Sequence, residues 1–442
     1  MTSPTLIIRN GRVIDPASGV DDVRDIAIVD GVIADVAGID DTAAEQFDAA
    51  GCLVTPGWID VHVHLRQPGL DYKETVETGT AAAAAGGFVA VACMPNTSPA
   101  LDSPEVIKGL QADVAANGRA RVYPIATITR GRQLAEDVDY DAVIAAGAVG
   151  WSDDGDSTPD SAIMRRALEA SKRLGKPVIV HCEDKAIAHG AMHEGEVSEK
   201  LGISGIPPQA EEIIIARDCM LAELTGGWLH VCHVSTGRGI EIIQQARERG
   251  AHVTAEVMPH HLVMSDEWVA GNRELHNTIE PAVEDAAAAD PNTKVNPPLR
   301  PIEDTQKLLK ALQDGWFDCF GTDHAPHAES DKPADFEKAA MGMSGLEFAV
   351  PLTYALVRAG HITEAELVKR WTVEPAKIIG VDQPSLAPGS VANVTVIDPS
   401  REWLVTPESL QTKSKNTALL GRTLRGRAML TVVDGKVQHR AK

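Results

Sequence analysis

TPGWIDVHVHLRQPG, residues 55–69, alternates polar and apolar side chains. On a β-strand successive side chains point to opposite faces, so Asp60, His62, His64 and Arg66 share one face. Ile59, Val61, Val63 and Leu65 share the other. If the strand belongs to a barrel, the apolar set packs against surrounding helices. The polar set then points inward at the mouth, and two imidazoles converge where a metal can sit. A solvated edge strand is the competing reading. It gives no reason for four polar side chains to stand in register at the end of an apolar run.

Outward from this stretch, residues 57–375 alternate short apolar runs with helical segments. The strands are expected at 57–64, 87–93, 120–127, 147–152, 177–182, 227–233, 252–257 and 317–322. Between them lie Ala-rich or amphipathic stretches such as Thr75–Ala85, Ser161–Leu174 and Ala210–Leu224. Strands alternating with helices make parallel βαβ units. Eight of them is the count for an α/β fold of the (β/α)8 barrel type, whose active sites lie at the strands' C-terminal ends. The chain ends differ from this middle. Asn10-Gly11 and Asp30-Gly31 lie between apolar runs near the start and Asp434-Gly435 near the end, and each reads as a hairpin turn. The expected organisation is a small β-sandwich domain built from 1–56 and 376–442 around a barrel at 57–375.

Composition narrows the class. The 442 residues carry 41 Lys and Arg against 63 Asp and Glu, a formal charge of −22. That balance argues against a nucleic-acid partner, whose phosphates need clustered cations. No apolar run reaches the ~18 residues of a membrane span. The first residues lack the basic-then-apolar order of a signal peptide. Six dispersed cysteines without a CxxC pair read as reduced thiols of a cytoplasmic protein.

Three further strands end in metal-binding residue types. PVIVHCED delivers His181, and DCFGTDHAPH delivers Asp323 with His324 and His327 beyond it. GWLHVCHVST offers His230 and His233, whose odd spacing puts them on opposite faces. His233, at the strand's C-terminal end, is the candidate; His230 reads as a hydrogen-bonded core histidine. One strand-end histidine is ordinarily structural, whereas metal-type residues closing four of eight strands are hard to explain as packing. Asp153 and Asp154 in AVGWSDDGD close the fourth strand. They read either as a turn or helix cap or as a carboxylate bridging two cations ~3.5–4 Å apart. Imidazoles with carboxylates suit one or two zinc ions, and metal binding brings the pKa of a bound water towards ~7. Asp323, at the mouth, is the candidate proton shuttle.

HVHLR (62–66), MPNT (94–97), SDDG (152–155), HCED (181–184), CHVS (232–235), NPPLR (296–300) and TDHAPH (322–327) together resemble the class I dihydroorotases of the amidohydrolase superfamily. The resemblance covers nearly the whole chain. It implies a zinc-dependent cyclic amide hydrolase that interconverts N-carbamoyl-L-aspartate and (S)-dihydroorotate in pyrimidine synthesis. By the same resemblance His62, His64 and Asp323 would hold one zinc and His181 and His233 a second, with Asp154, favoured by the SDDG motif, between them. Arg66, Asn96 and His327 would bind the substrate carboxylate beside His64, and Asn296, Met341 and Gly342 would hold the ring amides. Related enzymes bridge their metals with a carboxylated lysine on strand four, but this chain has no lysine between Lys108 and Lys172. That absence counts against the alternative of a hydantoinase or allantoinase. An inactive dihydroorotase-like scaffold for aspartate transcarbamoylase is the other alternative, and the retained metal-type residues count against it. A homo-oligomer and a transcarbamoylase partner fit the resemblance. The connection Asn272–Thr293 looks longer than the family's, and His327–Gly345 reads as either a mobile loop over the mouth or an ordered excursion.

Overall fold

The protein is described by a computed structural model over residues 6–36, 44–281, 283 and 286–441. It is mixed α/β. Strand β6 (Trp58–Val63) pairs with β7 (Phe88–Cys93), and β7 with β8 (Arg121–Pro124). Beyond β8, Ala126 bridges Trp151, and Trp151 bridges Val178 in β9 (Val178–Val180). After a two-residue pair, β10 (Met192–His193) with β11 (Gly205–Ile206), the order continues through β12 (Leu229–Val231), β13 (Val253–Val257) and β14 (Cys319–Phe320). His324, just past β14, bridges Val63, which returns the pairing to β6. Every one of these contacts is parallel.

The expected strand at 147–152 shrinks to the single bridge at Trp151. Its backbone still bonds both neighbours. Val149 N–H donates to the Pro124 carbonyl (2.9 Å), and Ile179 N–H donates to the Trp151 carbonyl (2.7 Å). The approach is close because residue 150 is glycine, where a Cβ would come within 2.7 Å of the Pro177 carbonyl oxygen.

Helices between the strands start where the sequence supplies caps. Asp160 accepts from Ala162 N–H to open Ser161–Leu174, and Gly175 closes it at φ 64°. Thr75 opens Val76–Ala85 in a capping box with Thr78. The alanines of that helix let it lie close to the sheet.

Both chain ends contribute strands to one sheet: β1 (Leu6–Asp15), β2 (Val20–Val29), β3 (Val32–Ala34), β4 (Glu45–Asp48), β5 (Leu53–Pro56), β15 (Val394–Leu404), β16 (Thr423–Val433) and β17 (Lys436–Arg440). Its order is β17-β16-β15-β5-β1-β2-β3, with β4 beside β1. Asp30-Gly31 and Asp434-Gly435 turn hairpins, both residues of each pair having positive φ. Asn10-Gly11 does not. The strand runs straight through it, with Asn10 at φ 60° and a bulge between Ile8 and Gly11. Each half of β1 has its own parallel partner, β4 and then β5, so continuing the strand satisfies more backbone than turning would. Gly11 is needed there because a Cβ would come within 2.3 Å of Val54 Cγ2.

The core contains an aromatic cluster in which Trp371 stacks on Trp58 (centroids 5.5 Å, 9° apart) and meets Phe88 edge-on at 5.1 Å. All three side chains are fully buried. Trp371→Ala should therefore cost about 3–5 kcal/mol of stability. Thermal unfolding followed by circular dichroism tests this, and an unchanged midpoint refutes it. Among the described residues no helix is long and apolar enough to cross a membrane, and all six cysteines are unpaired.

Candidate metal centre and substrate cavity

At the C-terminal ends of the parallel strands the polar face of residues 55–69 is put to use. Asp60 turns inward and accepts from the backbone N–H groups of His62 and Thr322 (3.0 and 3.1 Å), tying β6 to the loop after β14. Simple alternation holds for Asp60 and His62. Beyond Val63 the chain leaves the ladder, His64 N–H bonds the His324 carbonyl (2.9 Å), and Arg66 takes φ 64°. Arg66 still reaches the cavity wall, by a backbone kink rather than by strand register. His233 (φ 33°) and Asp323 (φ 46°) also sit in the left-handed region, which non-glycine residues avoid unless surroundings hold them there.

Four imidazoles and two carboxylates converge. His62 Nδ1 lies 2.7 Å from Glu256 Oε1, which turns its Nε2 towards Asp154 Oδ1 and Asp323 Oδ1, each 3.5 Å away. His64 Nδ1 lies 2.8 Å from Asn96 Oδ1, and its Nε2 is 3.1 Å from Asp323 Oδ1 and 3.5 Å from Asp154 Oδ2. His181 Nδ1 and His233 Nε2 are 2.9 Å apart, and each lies 3.8 Å from Asp154 Oδ1. His62 Nε2 and Asp154 Oδ1 are buried without any hydrogen-bond partner. Orphaned donors at the centre of such a cluster are what a divalent metal satisfies. The donor atoms of His62, His64 and Asp323, and those of His62, Asp154 and His233, each gather within 4.8 Å.

The neighbouring aspartates have separate work. Asp153 points away from the histidines and accepts from the N–H groups of Ile128 and Thr129 (3.1 Å each) and the hydroxyls of Thr129 and Thr158. His230 bonds Thr254 Oγ1 (2.9 Å) and Glu256 Oε2 (3.3 Å) as a buried interior histidine.

Burial by itself lowers the His62 imidazolium, but Glu256, Asp154 and Asp323 around it prevail and push it up to about 10. Burial works to raise the Asp154 carboxyl, yet His62, His233, His64 and His181 hold it well below its usual range. Asp323 is likewise held low against burial by His62 and His64. The cluster is thus a set of ionised acids facing imidazoles, a field that attracts cations.

Above it opens a cavity of about 290 Å³. Its wall includes His64, Arg66, Asn96, Asp154, His181, His233, Asn296, Asp323, His327, Met341 and Gly342, while His62 lies beneath. Arg66 Nε donates to the Pro326 carbonyl (3.1 Å), and its Nη2 lies 3.3 Å from His327 Nε2. Burial lowers this guanidinium to about 10, leaving it charged at neutral pH. Asn296 Nδ2 donates to Glu183 Oε2 (3.1 Å), which also faces His181 Nε2 (3.1 Å). Met341 and Gly342 belong to the excursion at 327–345. Lys332 Nζ fastens it to the carbonyls of Pro291 and Lys294 (3.0 and 3.1 Å).

Sequence reading missed Glu256 and Glu183. Glu256 had a signal, an acid inside the apolar run of the seventh expected strand. Glu183 had only its place beside His181. Because Glu256 fixes the His62 tautomer, Glu256→Gln is expected to weaken metal affinity about 10–100-fold. A chelator-competition titration checks this, and wild-type affinity would remove the assigned role.

Parallel strands that aim imidazoles and carboxylates into one cavity define the class, an α/β protein with a candidate metal centre. Comparison carries this to a family. Residues 51–238 match the model of the "Dihydro-orotase-like" family. Proteins named dihydroorotase from Anaeromyxobacter dehalogenans (strain 2CP-1 / ATCC BAA-258) and Aquifex aeolicus (strain VF5) are 46% and 42% identical. They cover 99% and 98% of this chain, and 98% and 99% of their own lengths are matched. The chain belongs to the dihydroorotase family. Its fold is also that of an L-hydantoinase from Arthrobacter aurescens, with a TM-score of 0.82, 24% identity, and coverage of 98% of this chain and 96% of that one.

Proposed function

We propose that this chain is a class I dihydroorotase, a zinc-dependent enzyme that reversibly closes N-carbamoyl-L-aspartate to (S)-dihydroorotate. The proposed catalytic unit is a (β/α)8 barrel over residues 57–375. The observation that carries the reading is the Asp154 carboxylate amid four imidazoles, in a chain with no lysine between Lys108 and Lys172 to take its place. Arg66, Asn96 and His327 on the same cavity wall support an anionic substrate. Six unpaired thiols support a cytoplasmic setting.

In this reading His62, His64 and Asp323 would hold one zinc and His181 and His233 a second, with the Asp154 carboxylate available to both. When bound, zinc supplies an acidified water and polarises the amide carbonyl. Arg66 grips the substrate carboxylate through its planar fork, and its fixed charge overcomes the protein's net negative field. Asn96 holds His64 by its Nδ1 and keeps the Nε2 turned to the reacting centre. In hydrolysis the Asp323 carboxylate takes the proton of the attacking water and delivers it to the departing ring nitrogen. In ring closure it removes the proton from the attacking nitrogen and returns it as water leaves.

Closure converts a carboxylate to an amide and consumes one proton. The equilibrium ratio of dihydroorotate to carbamoyl aspartate should therefore rise about tenfold per unit fall in pH. The test assays carbamoyl aspartate, hydantoin and allantoin side by side on metal-loaded enzyme, with bound zinc counted. Turnover of carbamoyl aspartate with this pH dependence is the expected result. Turnover confined to hydantoin or allantoin, or none with metal bound, overturns the reading.

A further inference from the structure

The cavity wall is braced from behind by a residue far outside the strand ends. Asn416 lies between β15 and β16, in a segment of the chain that contributes no metal-type donor to the centre. Its side chain is buried, and all of its hydrogen bonds go to the two stretches that form one wall. Nδ2 donates to the carbonyls of Ala325 and Gly342, at 3.1 Å each. Oδ1 accepts from His327 N–H (3.0 Å) and from the Ser344 hydroxyl (3.1 Å). The Asn416 carbonyl accepts from Ser344 N–H as well (2.9 Å).

We infer that Asn416 is a positioning residue for substrate binding: one carboxamide locks the spacing between the loop carrying His327 and the backbone at Met341-Gly342. Those loops come from opposite ends of the excursion at 327–345 and are otherwise joined by backbone donors: Ala325 N–H to the Met343 carbonyl (2.9 Å), Ala340 N–H to the Asp331 carbonyl (2.8 Å) and Gly345 N–H to His324 Nδ1 (3.1 Å). Gly342 sits at φ 129°, and a Cβ there would come within 2.7 Å of the Ala325 methyl, so the two stretches pack closely only because residue 342 is glycine. The Lys294 carbonyl holds its N–H (2.8 Å), and Asn416 holds its carbonyl. An amide is required because one planar group must donate twice and accept twice. Aspartate has the shape but no N–H to give.

The inference rests on the dihydroorotase reading. Asn416→Asp and Asn416→Ala are expected to raise KM for both substrates about tenfold or more, with kcat within about threefold of wild type. Bound metal should be unchanged. Ser344→Ala, which spares the bonds to His327, Ala325 and Gly342, should leave KM within about twofold. Unchanged KM in the folded Asn416 variants overturns the inference while leaving the enzyme's activity standing. So does loss of metal with kcat, or failure of both variants to fold, because a structural role then suffices. A wild type inactive on both substrates sinks the dihydroorotase reading and this inference with it.

Discussion

Asp323→Asn is expected to lower kcat about 10³–10⁴-fold while KM moves less than about threefold. The amide matches the carboxylate in shape, so its approach to His64 Nε2 (3.1 Å) and its place on the loop after β14 are kept. It cannot take up and return a proton. Burial works to raise the carboxyl, but His62 and His64 hold it low, so at neutral pH it is ionised. Binding should survive because the groups proposed to hold the substrate anion, Arg66 and His327, bond each other and the Pro326 carbonyl rather than Asp323. Bound metal must be counted alongside, since metal loss gives the same drop in kcat for a different reason. Near-normal turnover in the metal-loaded variant refutes the proton-transfer role.

Asp154→Asn is expected to release at least one metal equivalent and to lower activity about 10³-fold or more. Its two carboxylate oxygens are approached by His62, His64, His181 and His233, and Oδ1 has no other partner. Removing that charge leaves four imidazoles and the single Asp323 carboxylate to hold divalent cations with no anion between them. Asp153→Asn is the matched control. Its carboxylate is spent on loop N–H groups and threonine hydroxyls, so the variant should lose about 1–3 kcal/mol of stability and retain its metal. Metal counting by atomic absorption separates the two. Equal metal loss in both variants contradicts the division of labour.

How far the sequence could be read follows from the range of the forces involved. Period-two alternation, turn glycines and helix caps are set by neighbours in the chain. The parallel strands, the hairpins at Asp30-Gly31 and Asp434-Gly435, and the inward aim of His62 were therefore legible. Asn10-Gly11 has the same local signature as those turns. It became a bulge because β4 and β5 offered both halves of β1 a partner, and partners distant in sequence leave no local trace. Alternation likewise did not separate Asp153 from Asp154. Their roles depend on which carboxylate meets the threonines of a neighbouring loop and which meets imidazoles from other strands. Arg66 illustrates both sides: its presence was read from register, whereas its delivery to the cavity relies on a left-handed kink of the backbone and a Pro326 carbonyl that accepts from its Nε.

By itself, then, the sequence determined the residue types and the strand ends that present them, because side-chain direction on a strand is a property of the strand alone. Only the tertiary structure decided which ring nitrogen each histidine turns inward, through Glu256 and Asn96, and which aspartate stands at the centre. It also brought Asn416 from beyond β15 to brace the loops of the cavity wall. Those outcomes depend on hydrogen bonds between segments 24 to 194 residues apart, whose geometry exists only once the chain has closed on itself.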